Sequence, residues 1–535
     1  MKRDKHCFDV TEEGLEMDGA FVAPFYPGLR EKRLIHTQRA QKVRKEYDIY
    51  VKLADGSELG TYTFTSINNI RYSEYWDECC DAELTSAARK GLQIFLQHIV
   101  MQEEYVVCYE VERLGLYTIE PVIFVYGYRK AIVPDGISIL FSSQVPVVSD
   151  EGKQGNIQEL LHYAKRLITL RPGITDILFC VRILGVLRPL LEEIGYPADF
   201  FLGLFGASGT QKSTYAKLFF VEDNAQFLSF SSYNGKQILK RVEQYSGHFV
   251  VVDDYHPLAK SYDREKQQSA LDAIARNADS GQGAMVVITG EFMEGCFSLQ
   301  DRTLQIRVSK SSKTDGRMLS TQLQQLQCQK NMLGSLVYEF AKKVYGNFDM
   351  MKEQVKALFL QQGNDMYTFR IERNIKFLVV AMQLFEKCFP EISVWGVEEQ
   401  LKTSLRNVLG HQKKHMDIVR RLEYDKDWTR EVYLMLSSSG CKKQYEFSRD
   451  ISDMNEIILE GDYYYITEMV LEREMRRFLE CPVKAGEISE HLSKTQVLDE
   501  DKSTARTKKK NNIRYYVISR SRLKLYYLDT ISRDK

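Results

Sequence analysis

The sequence predicts an α/β fold with a mainly parallel sheet, because three apolar runs each end in polar residues of ligand type. Phe200 to Phe205 feeds into Gly206-Ala207-Ser208-Gly209-Thr210-Gln211-Lys212-Ser213-Thr214, Phe249 to Val252 ends in Asp253-Asp254, and Ala284 to Ile288 closes on Thr289-Gly290-Glu291. Short runs rich in Val, Ile and Phe, bounded by Gly or Asp, have the pattern of strands buried on both faces. Helical segments are expected between them, from Ser213 to Phe220, Asn234 to Tyr245 and Arg264 to Asp279, as a parallel sheet requires.

The first run carries the most specific chemistry. Gly206 to Ser213 follows the phosphate-loop spacing of Gly, four residues, Gly, Lys, then Ser or Thr, with one departure. Backbone N–H groups of such a loop curl around phosphate oxygens at a helix N-terminus. Gly206, Ala207, Ser208, Gly209, Thr210, Gln211, Lys212, Ser213 and Thr214 are therefore the candidate ATP-binding residues. Lys212 would reach the β/γ-phosphates, and the Ser213 hydroxyl would sit on Mg²⁺. Gln211 stands where the pattern has its second Gly, so a left-handed backbone there would cost about 1 kcal/mol or more. A glycine-rich turn with a lysine is also a common surface loop. The strand before it and the helix after it favour the phosphate reading.

The second and third runs supply the other half of such a site. Asp253 would hold Mg²⁺ through the Ser213 shell, and Asp254 would orient or deprotonate the attacking water. Strands often end in solvated acids, and it is the loop about forty residues upstream that gives these two a catalytic reading. Thr289 occupies the place where P-loop ATPases of the additional-strand class carry a polar residue for the γ-phosphate or the attacking water. Ser298 to Arg302 leads into a last core strand, Leu304 to Val308. Arg302 is a candidate to reach the γ-phosphate of a neighbouring subunit, where a positive charge stabilises the transition state. A surface salt bridge is an equally good reading of it.

Composition narrows the class. A chain of 535 residues exceeds one hydrophobic core, and 44% hydrophobic residues is ordinary for a soluble protein. Lys+Arg and Asp+Glu number 73 each, so any field that attracts nucleic acid must be local. The ten cysteines show no Cys-x-x-Cys spacing and build neither a metal site nor a disulfide framework, which points to a reducing, cytoplasmic compartment. MKRDKHCFDV lacks the apolar core of a signal peptide. Ile177 to Leu191, the most apolar long stretch, is interrupted by Arg182, Arg188 and Pro189 and reads as a core helix, so no membrane partner is expected.

Taken in order, residues 1–148 alternate strand-like runs with turns around one amphipathic helix, Thr85 to Met101, and form an N-terminal α+β domain. Ser149 to Asn156 reads as a linker. The nucleotide-binding core with its leading helices, Ile157 to Ile194, fills residues 149–310, and the hydrophilic loop Ser309 to Gly316 leaves it. A helical domain occupies 311–450. The last part, 451–535, has a hairpin over Ile457 to Ile466, helices over Glu468 to Leu479 and Ala485 to Ser493, and an expected strand pair, Ile513 to Ile518 with Arg522 to Leu528. That order resembles a winged helix, which places a helix in the major groove and a β-wing on the backbone. Every charge from Lys502 to Lys524 is positive, with Tyr515 and Tyr516 interleaved. Lys508, Lys509, Lys510 and Arg514 are the candidate DNA contacts; a solvated basic loop is the plainer alternative.

With these motifs in place, the order FGASGTQKST, VVVDDYHP, ARNADSGQG, VVITGE and SLQDRTLQIRV resembles the helicase-like P-loop ATPases of phages, plasmids and integrated mobile elements, which are often encoded beside a primase or fused to one. FDVTEEGLEMDGAFVAPF, the turn at Glu112 to Tyr117 and FVYGYRKAIVPDG also resemble that family's leading domain. The resemblance implies an RecA/AAA-like core and an Mg²⁺-dependent ATPase that assembles as a homo-oligomer, a ring being one form, and acts on single-stranded or forked DNA during replication. It also implies that Arg276 and Asn277 face nucleotide or DNA. No primase-like acidic triad or zinc ribbon is visible, so priming would belong to a separate protein. A motor of this kind competes with two other readings: a nucleotide-switched regulatory or defence ATPase without unwinding, which the Gln211 departure would suit, and a kinase, for which the flanking segments suggest no acceptor pocket.

Overall fold

In a computed structural model the chain is described at residues 6–37, 42–53, 55–66, 76, 84–118, 122–148, 156–256, 261–280, 283–294, 297–310, 313–361, 370–424, 427–438, 456–479, 483–499, 506–510 and 513–533. It divides into two compact units, Met1–Val147 and Val148–Lys535. Residues 149–155, most of the expected linker, lie outside the described residues.

The first unit is mixed α and β. Strands β1 (Phe8–Thr11), β2 (Gly14–Met17) and β3 (Ala20–Ala23) form an antiparallel sheet. The long hairpin of β4 (Phe25–Thr37) and β5 (Lys42–Leu53) joins β6 (Glu58–Phe64), then α1 (Ser86–Gln102) crosses to β7 (Val106–Val111). β8 (Gly115–Tyr117), β9 (Ile123–Gly127) and β10 (Lys130–Ile132) make a small sheet, and β11 (Ser138–Phe141) completes the larger one in the order β11-β7-β4-β5-β6. The Thr85 hydroxyl caps α1 by accepting the Ala88 N–H at 3.1 Å. The helix buries Leu92 and Leu96 against Phe25, Ile49 and Val51 of the hairpin.

The second unit opens with α2 (Ile157–Leu170) and α3 (Thr175–Glu193). Leading helices were expected over Ile157 to Ile194, with no break placed between them. The stretch breaks because the Thr175 hydroxyl accepts the Arg171 N–H (3.0 Å) and the Asp176 carboxylate accepts the Gly173 N–H (2.9 Å), side-chain bonds that compete with the helix ladder. Among the described residues no helix is long and apolar enough to cross a membrane. Arg182 and Arg188 of α3 are buried, and each is held from one side: Arg182 pairs with Glu222, and Arg188 donates to the Ala284 carbonyl at 2.7 Å.

Five strands then alternate with helices: β12 (Phe201–Phe205), α4 (Lys212–Phe220), β13 (Phe227–Ser229), α5 (Gly235–Gln244), β14 (Phe249–Tyr255), α6 (Ser261–Ala278), β15 (Met285–Gly290), α7 (Phe297–Asp301) and β16 (Thr303–Arg307). All pairs are parallel, in the order β13-β14-β15-β12-β16. Leu202, Leu204, Val250, Val252, Val287 and Ile288 are fully buried, each contributing about 1.5–3 kcal/mol of apolar burial. The strand runs expected from the sequence match these positions to within one or two residues, except that β14 continues three residues past Val252.

Helices follow: α8 (Lys313–Cys328), α9 (Asn331–Tyr345), α10 (Phe348–Gln361), α11 (Arg370–Cys388), α12 (Val397–Tyr424) and α13 (Trp428–Ser437). The loop expected over Ser309 to Gly316 is already helical from Lys313. α12 covers the open edge of the sheet, where the Gln412 side chain accepts the Gln305 N–H at 3.1 Å and donates to the Gln300 carbonyl at 3.1 Å.

The last elements are β17 (Ile458–Glu460), β18 (Tyr463–Ile466), α14 (Glu468–Leu479), α15 (Ala485–Lys494), β19 (Lys508–Lys510), β20 (Ile513–Ser519) and α16 (Arg520–Arg533), with strands in the order β17-β18-β20-β19. Two features differ from expectation. Trp428, Val432 and Met435 of α13 share a core with Val470, Leu471, Ile488 and Ile518, so this helix packs with the C-terminal segment and not only with the helices before it. Residues 522–528 are helical, not a strand. Asp462, in the β17–β18 turn, accepts the Ser521 N–H at 3.1 Å and the Ser521 hydroxyl at 2.5 Å, and so caps a helix that starts far downstream of it.

Candidate functional site

Register aligns the ends of the parallel strands. Phe205 is opposite Gly290 and Arg307, and Tyr255 is opposite Gly290, so the segments after β12, β14 and β15 emerge at one carboxyl edge. Ligands of open α/β sheets bind at such edges. A cavity of about 300 Å³ lies there, lined among others by Lys212, Ser213, Asp254, His256, Thr289 and Glu291.

The segment from Gly206 to Gln211 is the turn that joins β12 to α4. A Cβ on Gly206 would fall 2.2 Å from the Val308 carbonyl oxygen, so the turn can leave the sheet this closely only with glycine there. Gly209 has φ +77° and Gln211 φ +67°. Gln211 is thus a side-chain-bearing residue in the left-handed region, which costs about 1–2 kcal/mol. The Thr210 hydroxyl donates to the Ala207 carbonyl at 2.9 Å and holds the turn closed. Ser208 and Thr214 line the cavity beside it.

Lys212 folds back into this turn, its Nζ donating to the carbonyls of Gly206 (2.7 Å) and Ala207 (3.0 Å). Burial pushes the ammonium below the ordinary lysine range, while Glu291, Asp253 and Asp254 pull it back up. At the next residue, the Ser213 hydroxyl donates to Asp253 Oδ1 at 2.7 Å, and the Thr289 hydroxyl donates to the same oxygen. Two hydroxyls, one from the first turn of α4 and one from the end of β15, therefore converge on the carboxylate at the end of β14. Among the described residues no three His, Cys, Asp or Glu side chains gather to form a metal cage. One hydroxyl and one carboxylate are instead the sparse oxygen set that suits Mg²⁺ held jointly with phosphates.

Asp254 follows in the left-handed region at φ +70°, and the ladder between β14 and β15 shifts register between Val252 and Tyr255. This bulge re-aims the strand end. The Asp254 N–H donates to the Thr289 hydroxyl at 3.3 Å, and its carboxylate lies 2.8 Å from His256 Nε2. Strain of this kind persists only where the surroundings over-determine it. His256 and Glu291 were given no role from the sequence. His256 could be found only through the bulge, and Glu291 only through the register that brings β15 beside the turn.

Arg302 is not brought to this edge. It precedes β16, its carbonyl accepts the Phe201 N–H at 3.1 Å, and it therefore sits at the amino edge of the sheet. Its guanidinium forks onto Asp279 (2.8 and 3.0 Å) and donates to the Ser298 carbonyl at 2.9 Å. Arg370 shares Asp279 at 2.7 Å, and the two arginines hold that carboxyl below the usual range. Arg307, at the opposite end of β16, is the exposed arginine in register with Phe205. Arg276 is exposed near the end of α6, and Asn277 is half-buried there.

The four basic candidates of the tail occupy one hairpin, β19 with β20. Lys509 and Arg514 are exposed. Lys508 pairs with Asp499 (2.8 Å) and Lys510 with Glu460 (2.5 Å). Tyr515 and Tyr516 are buried, not interleaved with these charges on the surface.

No family model matches the sequence, and no curated protein does. A solved structure described as the SCCmec type IV Cch active helicase superposes on 98% of this chain and 100% of its own, with a TM-score of 0.47 and 12% sequence identity. Overlap at that level carries no argument about fold or activity.

Proposed function

We propose that the chain is an Mg²⁺-dependent P-loop ATPase of the additional-strand, RecA/AAA-like class that acts on DNA as a helicase or translocase, in the replication of a mobile element or phage. The observation that carries this reading is the convergence of Lys212, Ser213, Asp253 and Thr289 at one sheet edge beside a glycine turn and a cavity of about 300 Å³. The strand order supports it, since two strands separate β12 from β13 and insert β15 and β14 between them.

In this reading the N–H groups from Gly206 to Ser213 and the Lys212 ammonium bind the phosphates. Ser213 and Asp253 would hold Mg²⁺, which would supply positive charge against the phosphates. Asp254, re-aimed by its bulge, orients the attacking water, and Thr289 fixes both Asp253 and the Asp254 backbone. Arg302 would serve a neighbouring subunit. DNA enters through the C-terminal segment, where β18, α14, α15 and β20 follow winged-helix order and Lys508, Lys509, Lys510 and Arg514 share one hairpin. The link to mobile elements rests on the sequence resemblance alone.

Steady-state ATPase measurement with Mg²⁺, with and without DNA and with Lys212→Ala as the blank, tests the reading. Hydrolysis stimulated by DNA is the expected result. Hydrolysis indifferent to DNA would instead favour a nucleotide-switched regulator, the second reading, for which the strained Gln211 is the supporting observation. No hydrolysis above the blank would remove the enzyme assignment.

A further inference from the structure

The C-terminal hairpin sorts its cations onto two faces. Register sets Lys508 opposite Tyr515, Lys509 opposite Arg514 and Lys510 opposite Ile513, and alternate residues of a strand point to opposite sides. On one side Lys508 donates to Asp499 at 2.8 Å and Lys510 to Glu460 at 2.5 Å, and the Lys510 ammonium lies 4.9 Å from the Tyr465 ring centre. These two lysines are neutralised by the protein itself. On the other side Lys509 and Arg514 face each other across the ladder, both exposed, and neither has an ion pair among the described residues. Like charges directly opposite destabilise a hairpin. A pair of this kind is suited to an anion from outside.

The surroundings decide which anion. Tyr515 is 2% and Tyr516 5% exposed, so the hairpin offers no aromatic platform on which unpaired bases could stack. α15 occupies the place of a groove-reading helix, yet its exposed positions include Glu487 and Glu490, and Lys494 is engaged by Glu490 at 2.8 Å. Carboxylates there repel a phosphate-lined groove. The Glu487 side of α15 also borders a cavity of about 380 Å³ together with Glu265 and Glu294 of the sheet-bearing core. α14 is fixed to that core by a buried pair in which Arg476 Nε donates to Glu294 Oε1 at 2.6 Å.

From this we infer that the hairpin grips the phosphate backbone of duplex DNA through the Lys509–Arg514 pair, without base readout by α15. The inference rests on the DNA reading proposed above and narrows it: the contact is sequence-independent and fits the duplex arm of a fork. Lys508 and Lys510 are structural. Cross-strand Cβ atoms stand about 5 Å apart, so the two long side chains can meet neighbouring phosphates of one strand.

Fluorescence anisotropy of the full chain with labelled DNA, over a salt series, tests the inference. Two duplexes of unrelated sequence should bind equally, and more tightly than a single strand. K509A/R514A should weaken binding and make the slope of log K against log salt shallower by about 2, since each phosphate contact contributes about 0.9. E487Q/E490Q on α15 should leave the indifference to sequence intact. The thermal midpoint of K509A/R514A should equal or exceed that of the wild type, because a repulsion is removed; this separates lost contact from lost fold. A wild-type salt slope in K509A/R514A, a sequence preference that α15 substitution abolishes, or preference for the single strand would each overturn the inference while leaving DNA binding in place. No DNA binding by the wild type would instead sink the DNA reading itself.

Discussion

Lys212 is the side chain on which the proposed site depends most directly, because its ammonium is already drawn into the turn by the Gly206 and Ala207 carbonyls at 2.7 and 3.0 Å. Removing it takes away the lysine that, among the described residues lining the cavity, is placed to meet phosphate. Lys212→Ala should lower ATP hydrolysis by about 100-fold or more, the scale for losing one preorganised electrostatic contact. Phosphate-release kinetics check this, and near-normal turnover would exclude the turn from the reaction. Gln211 makes a second residue-scale prediction. Glycine costs about 0.5–1 kcal/mol in a helix interior and less at the N-cap position that Gln211 holds, while relief of a left-handed side chain returns about 1–2 kcal/mol. Gln211→Gly should therefore hold or raise stability in denaturant unfolding, whereas a loss of about 1 kcal/mol would mean that φ +67° carries no strain. The Gln211 departure was legible because the phosphate-loop spacing names the residue that ought to stand there. The Asp254–His256 contact was not, since strand alternation gives no sign of a bulge that lifts both residues to the cavity rim.

At the scale of elements, α12 is packed over the edge of the sheet, and the half-buried His415 on it, whose Nε2 is shielded from solvent, reports on that packing. Burial, with the Arg307 charge nearby, depresses His415 to about 4 from its ordinary 6.5. Between those values the unfolded chain binds a proton that the folded chain refuses, so stability falls as pH drops from 6.5 toward 4 and does not change on this account above 6.5. The loss by pH 4 is on the order of 3 kcal/mol. Denaturant unfolding at pH 7 and pH 5 should show His415→Gln losing less stability on acidification than the wild type. Equal losses would mean that α12 lets water reach the ring. Elements also set the limits of reading a sequence. The parallel strands were legible because runs such as Val250 to Val252 are apolar on both faces and end at Asp or Gly. α16 was misread because Arg522 to Leu528 alternates like a strand, while the cap that makes it helical comes from Asp462, almost sixty residues earlier. α13 lay outside the expected C-terminal domain for the same reason: its contacts with Val470 and Ile488 are distant in sequence.

For the whole molecule, the position of Arg302 turns a question about one side chain into a question about assembly. β16 runs parallel to β12 over five residues, with Phe201 opposite Thr303 and Phe205 opposite Arg307. Five residues of strand span about 17 Å, and the turn that holds Lys212 begins at the far end. An arginine side chain cannot cover that distance within its own subunit. If Arg302 takes part in hydrolysis, it does so on a neighbour. It must then leave, or be presented together with, the Asp279 carboxylate that grips it at 2.8 and 3.0 Å and that Arg370 also contacts at 2.7 Å. Arg302→Ala should accordingly lower kcat while leaving ATP affinity nearly unchanged. Mixing gives the decisive measurement. Subunits carrying Lys212→Ala keep Arg302 and lack a working turn, and subunits carrying Arg302→Ala keep the turn and lack the arginine. At interfaces between the two kinds, an intact turn meets an intact arginine, so the mixture should hydrolyse ATP faster than the sum of the separate variants, with a rate that rises steeply with protein concentration. Activity equal to that sum at every concentration would assign Arg302 to the Asp279–Arg370 network as a structural residue, and the site at the carboxyl edge would then work without a contribution from any neighbour.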